Sequence, residues 1–358
     1  MKFNILTIHK EPNYGACLQA YALYHALEQL GVHPRMIDLS MDYRGHEYNM
    51  KNRILLPLYR AYRGYDTCFR KAGNFSDKHT PVKTKNFYTG QQLKNFEWDP
   101  SDAYIIGSDQ VWNPSITGRL SREYCLGFLP DACSKRYSYA ASFGNISDES
   151  DRVARLDMPS LRRLRKVGVR ERFGADFLKR QGIESTVVVD PTLLLDDYSH
   201  LLAGEVKPKK EILLLTLSDN ARLAEFCRSV SSELGLPVRK LYGYLQPDRG
   251  KNRKFAGIEQ WLQSIAEAEV VVTDSFHACV FAIMFRKQFL FFTEERAKLP
   301  RVENLFKQLG ISGDRIVSEM KPVGSMAPID YTEVGAKLAE LRAASLDFLK
   351  QIVEDAQR

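Results

Sequence analysis

Short apolar runs alternate with helical periodicities along most of this chain. KFNILTI is an apolar run of strand length, and the polar loop HKEPNYGA follows it. ACLQAYALYHALEQLG then places apolar residues three and four apart and stops at Gly31, which predicts a helix with a glycine C-cap. PRMIDLS reads as a second strand. A strand, loop, helix, strand order is the unit of parallel α/β sheets. The alternation resumes with DAYIIG (102–107) and RYSYAASFG (136–144), both strands that end in polar turns. MPSLRRLRKV predicts a helix leading into the very short strand VGVRE. RFGADFLKRQG predicts a helix stopped by Gly182, and STVVVDPTLLLD a buried strand broken by Pro191.

A loop near LLAGEVKPKKE precedes a second series. EILLLTL, VRKLYGY, VVVTD and QFLFFT read as strands. ARLAEFCRSVSSELG, FAGIEQWLQSIAEAE, FHACVFAIMF and VENLFKQLG read as the helices between and after them. The tail from Ile329 predicts one long helix, with Asp330 as N-cap and Glu333 as its capping-box partner. Val334, Leu338, Leu341, Ser345, Phe348, Leu349 and Ile352 would form its apolar face. The expected fold class is therefore α/β, with two Rossmann-like domains facing across a cleft and a C-terminal helix. The boundaries expected are 1–204, 205–316 and 317–358.

Length supports two domains rather than one: the chain has 358 residues. The N-terminus has only a short apolar run and no small-residue cleavage site, which predicts no signal peptide. No stretch approaches the roughly 18 apolar residues of a spanning helix. The six cysteines form no CxxC pair and no metal spacing, which predicts a reduced, cytoplasmic protein without disulfides or zinc. Charge changes the picture in one place. The net charge is +7, and residues 41–98 carry eleven Lys and Arg against five Asp and Glu, interleaved with aromatics. This basic insertion is either a solvated, irregular segment or a surface for an anionic partner such as lipid headgroups or a diphosphate-linked acceptor. No nucleic-acid module surrounds it, so nucleic acid is not an expected partner.

Ligands of open parallel sheets bind beyond the carboxyl ends of the strands. The turns there hold Asn13 and Gly15; Ser108, Asp109 and Gln110; Ser142; Arg170 and Glu171; and Asp274, Ser275 and His277. The DSFH turn opens a helix, where free N–H groups and the helix dipole favour an anion. His277 would donate to that anion or trade a proton with it. The plainer alternative is that Asp274 or Ser275 caps the helix and His277 is structural. Arg170 is either a clamp for carboxylate or phosphate or a partner of Glu171. Asp109 is either a general base or the cap of its turn, and Arg301 on residue type alone is a surface arginine. GxGxxG, Walker, HExxH and GxSxG patterns are absent, which argues against dinucleotide, P-loop, zinc-protease and nucleophile-elbow chemistry.

NYGACLQAYAL, YIIGSDQVWNP, YSYAASFG, VGVRERFGADFL, VVVDPTLLL and VVTDSFHACVFAIMF occur in this order. Together they resemble the polysaccharide pyruvyl transferase family, over about residues 4–310. The resemblance implies a GT-B-like fold and transfer of the carboxyethylidene unit of phosphoenolpyruvate onto two hydroxyls of one sugar, with release of phosphate. It implies phosphoenolpyruvate as donor substrate, no other cofactor, and no metal. The acceptor it implies is a glycan, commonly lipid-diphosphate-linked, in exopolysaccharide, capsule or cell-wall synthesis, with peripheral contact at the inner membrane face. By motif, Arg170 would hold the donor anion, His277 would be the general acid or a phosphate ligand, and Arg301 a third anion contact. Asp109 would serve the acceptor, with Gln110 beside it and Trp112 as a stacking platform. Asn13, Gly15, Ser108, Ser142 and Ser275 complete the expected binding set. A nucleotide-sugar glycosyltransferase of the same architecture and a non-catalytic glycan- or anion-binding protein are the alternatives. Oligomeric state is left open by the sequence.

Overall fold

The structure, a computed structural model, describes residues 1–40, 65–144, 156–217, 220–242, 256–295, 299–324 and 326–358. Two all-parallel sheets form its frame. The first contains β1 (Phe3–Leu6), β2 (Pro34–Met36), β3 (Ala103–Ile106), β4 (Arg136–Ala141), β5 (Lys166–Val169) and β6 (Thr186–Val187), in the order β2-β1-β3-β4-β5-β6. The second contains β7 (Lys209–Thr216), β8 (Val238–Tyr242), β9 (Ala268–Thr273), β10 (Gln288–Phe292) and β11 (Ile316–Val317), in the order β11-β10-β9-β7-β8. Each sheet reverses its direction of growth once, between β1 and β3 and between β7 and β9. Such a switch point leaves a crevice at the strands' carboxyl ends.

Eight helices of eight residues or more are described: α1 (Tyr14–Gln29), α2 (Tyr65–His79), α3 (Arg172–Arg180), α4 (Ala221–Leu234), α5 (Ile258–Glu267), α6 (Phe276–Met284), α7 (Leu299–Leu309) and α8 (Tyr331–Gln357). Helix ends follow local chemistry. Asn13 caps α1 by accepting from the Ala16 amide, and the chain leaves the helix through Gly31 at φ 76°. Asn220 and Ser275 cap α4 and α6 in the same way.

One large apolar cluster lies between the sheets and belongs to both. It joins Phe3, Ile5 and Tyr139 of the first sheet to Leu213, Val271 and Phe289 of the second, through α1, α5, α6 and α8. Two further clusters cover the outer faces of the first and second sheets. The helix α8 begins beside the second sheet, where the Tyr331 hydroxyl donates to the carbonyls of Lys287 and Ala282. It ends on the first sheet, where Asp355 accepts from Tyr137 at 2.7 Å and Arg165 at 3.1 Å.

Three local expectations are corrected. The segment 158–167 forms only one helical turn, Met158–Leu161, because β5 takes up the chain from Lys166. The strand expected at 185–196 is only Thr186–Val187, because Pro191 has no N–H to donate and Asp190 caps a 3-10 turn at Pro191–Leu193. At α8, Asp330 caps by accepting from the Thr332 amide, but the Glu333 carboxylate is engaged by Lys337 at 2.6 Å rather than reaching back. Residues 41–64 of the basic segment lie outside the described residues; 65–98 supply α2, a short helix at Gly90–Lys94, and bridges from Lys83 and Phe87 to the edge of the first sheet.

Candidate active site in the cleft between the sheets

Five strand ends converge on one point. β3 delivers Ser108 and Asp109, β4 delivers Ser142, β5 delivers Arg170 and Glu171, β6 leads to Asp190, and β9 leads to Ser275 and His277. Arg170 is buried and fully engaged. Its Nε donates to Glu171 Oε1 at 3.0 Å, one terminal nitrogen to Asp190 Oδ2 at 2.8 Å, and the other to Ser142 Oγ at 2.9 Å. Ser142 in turn donates to Glu171 Oε1 at 2.6 Å.

Asp190 is the centre of the array. Its Oδ1 accepts from the amide and hydroxyl of Thr192 at 3.0 and 2.7 Å. Its Oδ2 accepts from Arg170 and, at 3.3 Å, from Ser108. His277 Nε2 stands 3.6 Å from the same oxygen, an ion-pair distance rather than a hydrogen bond. Burial alone would raise the Asp190 pKa; the facing His277, Arg170 and Thr192 outweigh it and hold the group well below the usual carboxylate range. Burial likewise works against the Arg170 cation, and Glu171 and Asp190 more than restore it.

The opposite wall is less satisfied. Ser275 caps α6, accepting from the Ala278 amide, which leaves His277 in the first turn with its ring buried. Gly15 lies directly against that ring: a Cβ there would sit 2.0 Å from His277 Nδ1. Arg301 is the third residue of α7 rather than preceding the helix. Its guanidinium lies 5.9 Å from the Phe276 ring centre, and that of Arg170 lies 5.0 Å from it. Burial and the neighbouring Arg170 both push the Arg301 pKa down. Among the described residues, Arg301 Nε, His277 Nε2 and Glu171 Oε2 are buried without a hydrogen-bond partner.

Two cavities flank α6. One is lined by Arg170, Glu171, Asp190, Phe276, Arg301 and Asn304, among others. The other is lined by Asn13, Gly15, Thr216, Trp261 and Ser275, among others. A pocket with several converging polar groups is the expected form of a small-molecule site.

The expected site residues divide on this geometry. His277, Arg170, Arg301, Ser275, Asn13 and Gly15 line or adjoin the two cavities. Asp109 is buried, with φ 67° in the left-handed region, and its Oδ1 accepts from the Gln110 amide at 2.8 Å. Strain of this kind at a non-glycine residue is characteristic of functional turns. Gln110 accepts from Asn113 at 2.9 Å and lies where a side chain at Gly144 would stand. Ser108 and Ser142 are fully buried, and their hydroxyls donate to Asp190 and Glu171. Trp112 is not a stacking platform: it is fully buried against Phe143, and its indole N–H donates to the Tyr124 carbonyl at 3.2 Å. Asp190 was absent from the expected set. The signal for it was present, an aspartate directly before Pro191 at the end of an apolar run.

A second polar cluster sits after β1 and β2. Asp38 is paired with Lys10, faces His9 Nε2 at 3.5 Å, and accepts from Asn86 at 3.0 Å. Burial would raise its pKa, but the bonds to His9 and Lys10 bring it down to about 2. Among the described residues, no group of three or more His, Cys, Asp or Glu is arranged to hold a metal ion, and no helix is long and apolar enough to cross a membrane.

A family model described as polysaccharide pyruvyl transferase matches residues 13–296. No curated protein sequence matches the chain. Among solved structures, Arabidopsis thaliana UGT89C1 complexed with UDP-L-rhamnose is similar with a TM-score of 0.50 at 11% identity, over 98% of this chain and 93% of that one. The Methanocaldococcus jannaschii UDP-GlcNAc 2-epimerase in complex with UDP-GlcNAc and UDP gives 0.49 at 12% identity, over 96% and 93%. With the two facing parallel sheets, the fold is of the GT-B kind, as expected.

Proposed function

Because the chain belongs to the polysaccharide pyruvyl transferase family, we propose that it is a phosphoenolpyruvate-dependent ketal-pyruvyl transferase. The acceptor is a sugar of a polysaccharide or lipid-linked glycan precursor, and two of its hydroxyls take the carboxyethylidene group. The observation that supports this reading best is the buried, unpaired Nε of Arg301, close to Arg170 and in the same cleft as His277. A second cation so placed, without a carboxylate of its own among the described residues, favours an anionic ligand.

In this reading Arg301 meets the carboxylate or phosphate of the donor, and Arg170 fixes the wall opposite. His277 protonates the methylene carbon, a role suited to imidazole near neutral pH. The C=C electron pair becomes the new C–H bond, and the central carbon becomes oxocarbenium-like. A sugar hydroxyl adds to it, with Asp109 as the base on the acceptor side; phosphate departs; and the second hydroxyl closes the ring. Of the two hydroxyl protons, one ends in the new methyl group by way of His277, and the other leaves with phosphate.

The test is phosphate release from phosphoenolpyruvate, screened over free and lipid-linked glycans, with NMR of the product. A ketal methyl signal is expected. Release of nucleoside diphosphate from a sugar nucleotide instead would assign the chain to glycosyl transfer, and binding without turnover to a glycan-binding role. The basic segment 41–98 faces the membrane-borne acceptor in this reading. Reversing Arg60, Arg63 and Arg70 to Glu should then weaken binding to anionic vesicles at low salt; unchanged binding there would return the segment to a solvated loop.

A further inference from the structure

His277 has two ring nitrogens in different surroundings. Nε2 is buried, and the nearest acidic oxygen is Asp190 Oδ2 at 3.6 Å. Nδ1 lies on the side of Gly15, at the place a Gly15 side chain would fill. Gly15 itself lines the cavity that also holds Asn13 and Ser275. Asp190 has little freedom to move, because two bonds from Thr192 fix Oδ1 and two from Arg170 and Ser108 fix Oδ2.

We propose that Asp190 is a positioning residue that keeps the Nε2 proton of His277 and thereby makes Nδ1 the nitrogen that exchanges a proton with substrate. The second part rests on the proposed pyruvyl transfer; the first does not. Which ring nitrogen carries the proton is set by the partner of the other one. A fixed carboxylate facing Nε2 favours N–H there in the neutral ring. When the imidazolium acts as an acid, the proton leaves Nδ1 for the methylene carbon of the donor. The C=C pair forms the bond to it, and the neutral ring retains its proton at Nε2.

The same carboxylate holds Arg170, so one buried aspartate orients the acid and the cation together. The charged groups around the imidazole are Asp190, Arg170 and Glu171 from the first sheet, Asp109 from its β3 turn, Asp274 at the mouth of α6, and Arg301 from α7. Arg170 is shared with Glu171 and Ser142, so its position survives loss of one partner.

Long-range ¹H–¹⁵N correlation NMR of the unmodified protein with labelled histidine gives a direct reading, without any variant. The neutral His277 ring should show the pyridine-like nitrogen at Nδ1 and the proton at Nε2. A protonated Nδ1 in the neutral ring would overturn the proposal, whatever reaction the chain catalyses. In Asp190→Asn the tautomer preference should weaken or invert. The kcat for pyruvyl transfer should fall by about 100-fold, with the phosphoenolpyruvate KM changed far less. Thr192→Val, which loosens Oδ1 without removing the charge, should give a smaller change of tautomer and kcat in the same direction, and Asp190→Glu a partial rescue. An unchanged tautomer and kcat in both Asp190→Asn and Thr192→Val would also overturn the proposal. The expected tautomer together with no phosphate release from phosphoenolpyruvate under any acceptor would support the positioning role and remove the pyruvyl-transfer reading instead.

Discussion

The two walls of the cleft are built differently. On the wall formed by the first sheet, Ser108, Ser142, Arg170, Glu171 and Asp190 bond to one another, and among the described residues Glu171 Oε2 is the one polar atom of this set left buried without a partner. On the wall formed by α6 and α7, Arg301 Nε has no hydrogen bond among the described residues, and His277 Nε2 stands 3.6 Å from Asp190, outside hydrogen-bond reach. A polar network that satisfies itself contributes rigidity and fixes positions. Polar groups held without partners cost stability and are retained where a ligand completes them. On the proposed pyruvyl transfer, one wall supplies shape and the other reactivity, and substitutions on the two sides should fail in different ways.

The sharpest break of this contrast is His277→Ala. Turnover should fall by about 1,000-fold or more, while the urea midpoint stays near that of the parent; unchanged turnover would remove His277 from the chemistry. Arg170→Met should act the other way round, first on stability. It strips Asp190 and Glu171 of their shared cation, and urea unfolding should show a loss of about 3–5 kcal/mol. Loss of activity in a fully stable Arg170→Met protein would show that the arginine serves substrate directly. Arg301→Met removes a buried cation that repels Arg170. On the proposed pyruvyl transfer, the KM for phosphoenolpyruvate should rise about 10- to 100-fold, with unfolding stability unchanged or increased. A marked drop in stability would mean that Arg301 has a structural partner after all. The smallest effect should come from Asp38, in the second polar cluster beside His9 and Lys10. Its pKa is depressed from 3.8 to about 2, so its contribution is complete above about pH 4 and is lost as the pH falls towards 2. Allowing for solvent screening, Asp38→Asn should lower stability near neutral pH by about 1 kcal/mol and flatten the acid limb of unfolding, with kcat unaltered.

What the sequence made legible follows from burial pattern. Strands buried on both faces read as continuous apolar runs, so their ends, and the polar residues just past them, are visible in the sequence. Arg170, Asp109, Ser275 and His277 were found that way. The same rule could not say which way a side chain turns after leaving the strand. Ser108 and Ser142 sit at strand ends, but their hydroxyls point back to carboxylates. Trp112 sits in such a turn too, yet it packs into the core beneath it. Asp190 escaped notice because its importance arises only when three other strand ends bring Arg170, Ser108 and His277 to its oxygens. Glu333 was misread because a lysine one turn on, Lys337, competes for it.

The long C-terminal helix carries a mechanical implication. It has 27 residues, about 40 Å of rigid rod, and is fastened near both ends, to a different sheet at each. Phe348 presses so closely on Gly168 that a side chain there would meet its ring at 2.8 Å. The rod thus ties the two sheets together as one strut. Any movement of one sheet relative to the other must bend this helix or release the Asp355 or Tyr331 fastening.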